Sequence, residues 1–253
     1  MPESRHLSVA LAAAKAAEEV ILSYYKSSPD VQTKDDSSPV TIADIEAEQI
    51  IKKTILDAFP DHGFYGEETG RTGLQSEYLW LVDPIDGTKS FVSETPFFST
   101  QIALMHNDEL ILGVSNAPVF AELACAERGS GSLLNGTAIE VSRVDRLADA
   151  ALSTGNLATL AADSRWQTFG KLVADVNRVR GYGDFYHYHL LASGRVDVVI
   201  ESDVNVLDIA ALSVIVEEAG GRFTDLDGEP VGLATTSVLA SNNLLYEQIR
   251  ERL

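Results

Sequence analysis

The sequence lacks the features that mark several large classes of protein. Its 253 residues include a single cysteine, Cys125, which excludes an intramolecular disulfide and a zinc site built from several thiolates. No apolar run approaches the ~20 residues that a membrane-spanning helix needs. The N-terminus has neither the charged nor the apolar region of a signal peptide, and we therefore expect a cytoplasmic protein.

Positive charge is also scarce. Lysine and arginine number 19 against 38 aspartates and glutamates, which gives a formal net charge of −19 at pH 7. This surplus of negative charge disfavours nucleic acid and anionic membrane surfaces as partners. Solvated surface carboxylates are the ordinary explanation for such a surplus, and a metal site is the alternative for part of it. A hydrophobic content of 45% suffices for one large core or two modest ones.

The first part of the chain has the pattern of two helices followed by strands. Apolar residues recur at intervals of three and four over Leu7–Tyr25 and Thr41–Phe59, which is the helix period. A polar loop is predicted at Gly70–Glu77, before the strand Tyr78–Val82. Short apolar runs separated by turn residues then predict an antiparallel meander over Ser99–Val141.

The second part alternates strands with helices. Predicted helices lie at Ser164–Val176, Phe185–Ala192 and Val206–Glu218, and two glycines end the last of them. The predicted class is α+β, with helices and strands in layers. The composition loosens near residue 145, so we divide the chain into an N-terminal half at residues 1–145 and a C-terminal half at residues 146–253.

The stretch Trp80-Leu81-Val82-Asp83-Pro84-Ile85-Asp86-Gly87-Thr88 joins an apolar strand to paired carboxylates. Carboxylate oxygens are the preferred ligands of Mg²⁺, and carboxylates crowded at one point repel unless a cation neutralises them. Glu67 follows another short strand and would join Asp83 and Asp86 if the two strands are neighbours. A bare Asp-x-x-Asp is more often a polar turn than a metal site, but the whole motif favours a metal site.

The residues after the carboxylates suit an anion. Gly87 allows the backbone to approach an anion closely, and N–H groups of a turn or helix beginning there would point outward. Thr88 adds a hydroxyl that can interact with water or phosphate. Thr41 and Asp44, taken by themselves, have the pattern of a helix cap with an acidic first turn.

Three segments together resemble the signatures of the inositol monophosphatase family. They are Gly66-Glu67-Glu68, Asp83 to Thr88, and Leu207-Asp208-Ile209-Ala210-Ala211 through Glu218-Ala219-Gly220-Gly221. Their order and spacing match, and the resemblance extends over nearly the whole chain. It implies a Mg²⁺-dependent phosphomonoesterase, usually a homodimer, in which both halves form one catalytic unit. The implied fold is a layered α/β/α/β/α sandwich of the inositol monophosphatase and fructose-1,6-bisphosphatase type.

The resemblance also implies a set of ligands for two or three Mg²⁺ ions. Glu67 is implied both as a ligand and as a catalytic residue, through a third and weaker ion. The remaining ligands are assigned by matching position. One ion would be held by Glu67, Asp83 and the carbonyl of Ile85, and a second by Asp83, Asp86 and Asp208.

The implied mechanism is direct attack on phosphorus by a water that the metal ions activate. Asp44 would pair with Thr88, and the two would orient and deprotonate this water. The backbone N–H groups of Gly87 and Thr88 would bind the phosphate oxygens. No residue of the motifs resembles a covalent nucleophile.

A later segment bears on the substrate. Gly183-Asp184-Phe185-Tyr186, followed by Ser193-Gly194-Arg195-Val196-Asp197 and Glu201, resembles the histidinol-phosphate phosphatase branch. In that branch Asp184 and Glu201 would meet the amine and imidazole of the substrate. The expected reaction is the hydrolysis of L-histidinol phosphate to L-histidinol, a step of histidine biosynthesis.

Some residues depart from each branch, so alternatives stay open. Inositol-directed members more often carry an asparagine before the phenylalanine, where this chain has Lys89-Ser90-Phe91, and a tryptophan at the position of Leu207. Asn116, in turn, departs from the histidinol branch. Inositol 1-phosphate is the main alternative substrate, because Glu201 would also accept hydrogen bonds from hydroxyls. The others are 3′-phosphoadenosine phosphate and a non-catalytic metal-binding relative. For His187 and His189 we expect packing at the surface or in the core.

Overall fold

The computed structural model describes residues 4–26, 31–33, 39–73 and 75–253. The helices predicted near the N-terminus are confirmed, and the first is capped by Ser4, whose hydroxyl accepts the N–H of Leu7 at 3.1 Å. The helices of the described residues are α1 (Arg5–Tyr24), α2 (Ile42–Ala58), α3 (Thr88–Val92), α4 (Leu157–Ala162), α5 (Trp166–Asp175), α6 (Asp184–Ala192), α7 (Val206–Glu218) and α8 (Tyr246–Arg250).

The strands fall into two large sheets and one short pair. Short 3₁₀ turns at Pro118–Phe120 and Leu147–Asp149 connect some of them. The strands of the described residues are β1 (Val31–Thr33), β2 (Pro39–Thr41), β3 (Gly63–Gly66), β4 (Gly70–Thr72), β5 (Tyr78–Asp86), β6 (Ser99–His106), β7 (Glu109–Ala117), β8 (Glu122–Glu127), β9 (Ser132–Leu134), β10 (Thr137–Ile139), β11 (Ala151–Thr154), β12 (Arg178–Arg180), β13 (Val198–Ser202), β14 (Gly221–Thr224) and β15 (Ser237–Asn242).

The larger sheet has eight strands in the order β10-β9-β8-β7-β6-β5-β3-β4. Neighbours from β5 to β10 are antiparallel, so the predicted meander is confirmed. Among the described residues, β3 and β5 are the only neighbours in this sheet that run parallel, and they lie next to the edge strand β4. The second sheet has the order β12-β11-β13-β15-β14 and is mixed.

Helices cover both faces of the eight-stranded sheet. Because side chains alternate along a strand, Trp80 and Val82 of β5 pack with α1 and α2, whereas Leu79 and Leu81 pack with α6 and α7. The second sheet lies beyond α6 and α7, and α5 and α8 cover its outer face. The result is the expected layered α+β sandwich. No helix of the described residues is long and apolar enough to cross a membrane.

Some local predictions were wrong. The stretch predicted as a polar loop contains the edge strand β4, and the helix predicted at Ser164–Val176 is shorter and preceded by α4. Both errors fall on short exposed elements, where pairing with a neighbour decides the conformation. The division near residue 145 stays a prediction. Leu81 and Val214, which lie on either side of it, belong to the same hydrophobic core.

Candidate metal and phosphate site

Strand β5 continues to Asp86 instead of ending at Val82 as predicted. Its pairing with β6 is regular up to Asp83 and resumes, shifted, at Asp86. Pro84 has no N–H for the neighbouring strand, and the hydroxyl of Thr100 donates to its carbonyl at 2.9 Å. Residues three apart in a regular strand face opposite sides of the sheet. The irregularity at Pro84 therefore allows both aspartates to serve one site.

Asp208 joins these aspartates from the first turn of α7. Its carboxylate accepts the N–H of Asn205 at 2.8 Å, and the Asn205 side chain accepts the N–H of Leu207 at 3.1 Å, which forms a capping box. One oxygen from each of Asp83, Asp86 and Asp208 lies within 4.8 Å of the others. Leu207 is only 2% exposed, so the core behind Asp208 closes without the tryptophan.

The charges at this cluster favour a cation. Burial raises the pKa of Asp83 and of Asp86 well above the usual range, and neighbouring carboxylates raise it further. Burial likewise raises the pKa of Asp208 to about 7. Carboxylates held this close repel unless a proton or a cation neutralises them. An all-oxygen donor set is what a hard cation such as Mg²⁺ prefers, so the residues present fit such an ion.

Glu67 lies at the edge of the cluster. It follows β3, which pairs with β5, and its N–H donates to the Val82 carbonyl at 3.2 Å. After burial, its charge is the largest cause of the raised pKa of Asp83. The expected neighbourhood of the two strands is thus confirmed, and Glu67 is an exposed residue beside buried aspartates.

Glu48, which sequence reasoning missed, shapes the turn that carries Glu67. It is fully buried in α2, and its carboxylate accepts the N–H groups of Glu68 and Thr69 at 2.7 Å each. A Cβ on Gly66 would lie 2.4 Å from this carboxylate. The available signal was a glutamate on the buried face of a predicted helix, where a charge needs partners.

Gly87 and Thr88 form the turn after the aspartates. Gly87 has φ +86°, and a Cβ there would lie 2.4 Å from the carbonyl oxygen of Phe97. Helix α3 begins at Thr88, whose hydroxyl donates to the Ile85 carbonyl at 3.1 Å. A carbonyl oxygen has two lone pairs, so Ile85 still has one to offer.

Asp44 lies buried in the first turn of α2, on the side of the metal cluster. It is 1% exposed, and its charge is among those that raise the pKa of Asp83. Its pairing with Thr88 stays a prediction. The side chain of Thr41, the alternative helix cap, is outside the described residues.

Asp184 and Glu201 line one small cavity together with Asp86 and Asp208. Asp184 begins α6 with φ +46°, a conformation that few residues other than glycine adopt. Burial and the charge of Glu201 raise the pKa of Asp184 to about 6. Two further carboxylates therefore face the cavity beside the three aspartates.

Glu201 is held in place by residues that sequence reasoning had assigned only to packing or had missed. One carboxylate oxygen accepts from Nε2 of His187 at 3.0 Å and from the hydroxyl of Tyr188 at 2.8 Å. A Cβ on Gly155 would lie 1.9 Å from the other oxygen, so glycine is required there. His187 and His189, expected to pack at the surface or in the core, are both buried, and both rings also hydrogen-bond.

Comparison with known sequences gives a family match over residues 3–253, to the inositol monophosphatase family. A histidinol-phosphatase of Mycobacterium tuberculosis is 40% identical over 228 residues, covering 88% of this chain and 87% of that protein. An inositol monophosphatase of Mesembryanthemum crystallinum is 34% identical over 261 residues, covering 99% and 96%. Proteins with either name are therefore similar to this chain.

Comparison with solved structures supports the fold. The extragenic suppressor protein suhB from Bartonella henselae superposes with a TM-score of 0.90 at 30% sequence identity, and the match covers 98% of both chains. The layered arrangement of this chain is thus shared over its whole length with a solved structure.

Proposed function

The chain belongs to the inositol monophosphatase family and is a phosphatase, and we propose that its substrate is histidinol phosphate. One observation carries this proposal. Asp184 and Glu201 lie in the same cavity as Asp86 and Asp208, beyond the carboxylates that fit a metal. A leaving alcohol with a protonated amine and an imidazole would neutralise them, whereas inositol carries no positive charge.

The chain's own residues have distinct roles in this proposal. Asp83, Asp86 and Asp208 would hold Mg²⁺, with Glu67 and the Ile85 carbonyl as further ligands. Mg²⁺, when bound, supplies charge neutralisation and a lowered pKa for water. In this assignment the three clustered carboxylates would hold one ion, and a second ion would need Glu67 as a further ligand.

Other residues would handle water and phosphate. The Thr88 hydroxyl would orient the attacking water, and the buried carboxylate of Asp44 would take its proton. The first N–H groups of a helix have no acceptor within the helix, so those of Gly87 and Thr88 would bind phosphate oxygens. Helix α3 begins at Thr88, which supports this role.

Asp184 provides the test of this assignment. Asp184→Asn keeps the shape of the side chain and removes its charge. It should lower kcat/KM for histidinol phosphate by at least about tenfold, or 1.4 kcal/mol, and leave an aryl phosphate nearly unaffected. Equal losses on both esters would show that Asp184 has a structural role, and would leave inositol 1-phosphate as the better candidate.

We further propose that the protein is a homodimer. A partly exposed cluster of aromatic rings supports it: Phe120 lies 4.6 Å from Tyr186 and 5.5 Å from Phe97, centroid to centroid. Light scattering of the wild type and of Phe120→Asp tests it. A dimer that Phe120→Asp converts to a monomer is expected, and a monomeric wild type would contradict the proposal.

A further inference from the structure

A continuous chain of polar side chains runs from the metal cluster through the interior of the protein. Each member is hydrogen-bonded to the next, with donor–acceptor distances of 3.5, 2.8, 3.1, 2.9 and 3.0 Å from the first member to the last. The four middle members are at most 1% exposed, and the last is half-buried. In order, the members are Asp86, Ser99, Gln101, Ser115, His189 and Glu122.

The register of the sheet places these residues. Ser99 lies opposite Asp86 across β5 and β6, and Gln101 lies opposite both Asp83 and Ser115. Residues two apart on one strand share a face of the sheet. Helix α6 packs over that face and brings its histidine onto Ser115, so the chain joins the metal aspartates to α6.

The two ends of the chain determine the direction of every hydrogen bond. The Ser99 hydroxyl donates to Asp86, and ionised Glu122 can only accept, so Nδ1–H of His189 donates to Glu122. Burial lowers the pKa of His189, which favours the neutral ring. Its Nε2 then accepts from the hydroxyl of Ser115. The hydroxyl protons of Ser99 and Ser115 are thus both directed away from each other, and both oxygens can accept a hydrogen bond from a donor that lies between the two serines.

Gln101 is that donor, because its amide nitrogen carries two N–H bonds. The nitrogen lies 2.8 Å from the Ser99 oxygen and 3.1 Å from the Ser115 oxygen, so one N–H is available for each. An amide does not relay protons as a hydroxyl or imidazole does. The chain therefore fixes orientation and does not conduct protons.

This arrangement is not needed for packing. The same face of the sheet carries the apolar Ala103, Ala117 and Ala124, which join the core with α6 and α7. Apolar side chains of similar volume often replace a buried polar group with little loss of stability. Moreover, Oε1 of Gln101 is buried and has no hydrogen-bond partner among the described residues. A buried acceptor without a partner lowers the stability of the protein, which points to a gain elsewhere.

We propose that Ser115 and His189 are positioning residues that act through Gln101 and Ser99 to orient Asp86, and so set the affinity of the site for a divalent cation. The inference rests on the proposed function in that Asp86 is taken as a metal ligand. Outer partners of metal ligands are known to tune affinity in this way.

Calorimetric titration of the metal-free protein with MgCl₂ and with MnCl₂ tests the proposal without any substrate. Ser115→Ala should raise the dissociation constant about fivefold, which is less than the ~10–100-fold typical of groups bonded directly to a ligand. Ser99→Ala should have the larger effect, and Ser115→Thr should restore affinity because it keeps the hydroxyl. Ser241→Ala is the matched control, since it removes a buried hydroxyl from the other sheet.

Equal dissociation constants for Ser115→Ala and Ser241→Ala would overturn the inference. If Ser115→Ala does not fold, Glu122→Ala provides the test at the half-buried end and should also weaken binding. Unchanged affinity in that variant would likewise overturn the inference. Asp86→Asn distinguishes failure of the proposed metal site from failure of the positioning role. If this variant binds the cation as tightly as the wild type, Asp86 is not a ligand and the proposed site is wrong. Loss in Asp86→Asn with none in Ser115→Ala refutes the positioning role alone.

Discussion

The carboxylate of Glu48 occupies the space that a side chain on Gly66 would need. A Cβ on Gly66 would lie 2.4 Å from the carboxylate carbon, and the same carboxylate accepts the N–H groups of Glu68 and Thr69 at 2.7 Å. Glu48 thereby holds the turn that brings Glu67 to the metal cluster. The glycine of the Gly-Glu-Glu motif is thus explained by a buried contact, not by a ligand.

Gly66→Ala should therefore damage both stability and metal binding. The methyl group would displace the Glu48 carboxylate and leave the partly buried N–H groups of Glu68 and Thr69 without their acceptor, at a cost of about 1–3 kcal/mol in the free energy of unfolding. The dissociation constant for Mg²⁺ should rise about tenfold, because Glu67 loses its fixed position. Chemical denaturation and calorimetry measure the two effects. Gly170→Ala, in α5 with open space around it, is the control: it should leave the dissociation constant unchanged and raise the free energy of unfolding by at most about 1 kcal/mol, because alanine favours a helix more than glycine does.

Metal and protein stability should be linked through the aspartate cluster. Mg²⁺ at about 100 times its dissociation constant should raise the free energy of unfolding by about 2.7 kcal/mol. Asp83→Asn removes one repelling charge, so this variant should be more stable than the wild type without metal and gain little from Mg²⁺. Thermal unfolding with and without the ion measures both effects. A variant stabilised by Mg²⁺ as strongly as the wild type would exclude Asp83 as a ligand.

The stability of the metal-free protein should fall as the pH rises. The folded pKa of Asp208 is about 7 and that of Asp184 about 6, both above the usual value of 3.8. Above pH 3.8 the unfolded chain releases these protons while the folded protein still holds them, so the free energy of unfolding falls with rising pH until the folded pKa values are passed. Saturating Mg²⁺ should remove most of this pH dependence. Denaturation at pH 4.5 and 7.5 of the wild type and Asp208→Asn isolates this contribution, and equal slopes would contradict it.

Asp184→Gly should separate stability from specificity. The backbone at Asp184 has φ +46°, which costs a residue with a Cβ roughly 1 kcal/mol and glycine almost nothing. The variant should thus be at least as stable as the wild type while hydrolysing histidinol phosphate poorly. Unfolding midpoints and kinetics on the same preparation show whether the two properties diverge. A variant that is less stable and equally active would refute both assignments.

The sequence motifs predicted the aspartate cluster, but they did not predict the residues that hold it in place. Asp83, Asp86 and Asp208 were predictable as a cluster because all three stand within the family signatures themselves. Glu48 was not, because its place on the apolar face of α2 indicates that its charge needs partners but not which turn supplies them. The network through Gln101 depends on cross-strand register, which spacing alone does not supply.

The same limit applies to secondary structure. The long helix α7 was predicted to the residue because its apolar run, cap and terminal glycines agree. Strand β5 was predicted to end at Val82, since the aspartates and proline that follow are typical turn residues. In the structure the strand continues to Asp86 because its neighbour β6 pairs with it again there.

The central claim is the identity of the alcohol that leaves. The most direct measurement is kcat/KM of the wild type with Mg²⁺ for histidinol phosphate, inositol 1-phosphate and 3′-phosphoadenosine phosphate, assayed side by side by phosphate release. The carboxylates of Asp184 and Glu201 in the cavity predict that histidinol phosphate leads. A lead of about tenfold for either other ester, which is 1.4 kcal/mol of transition-state preference, would contradict the account.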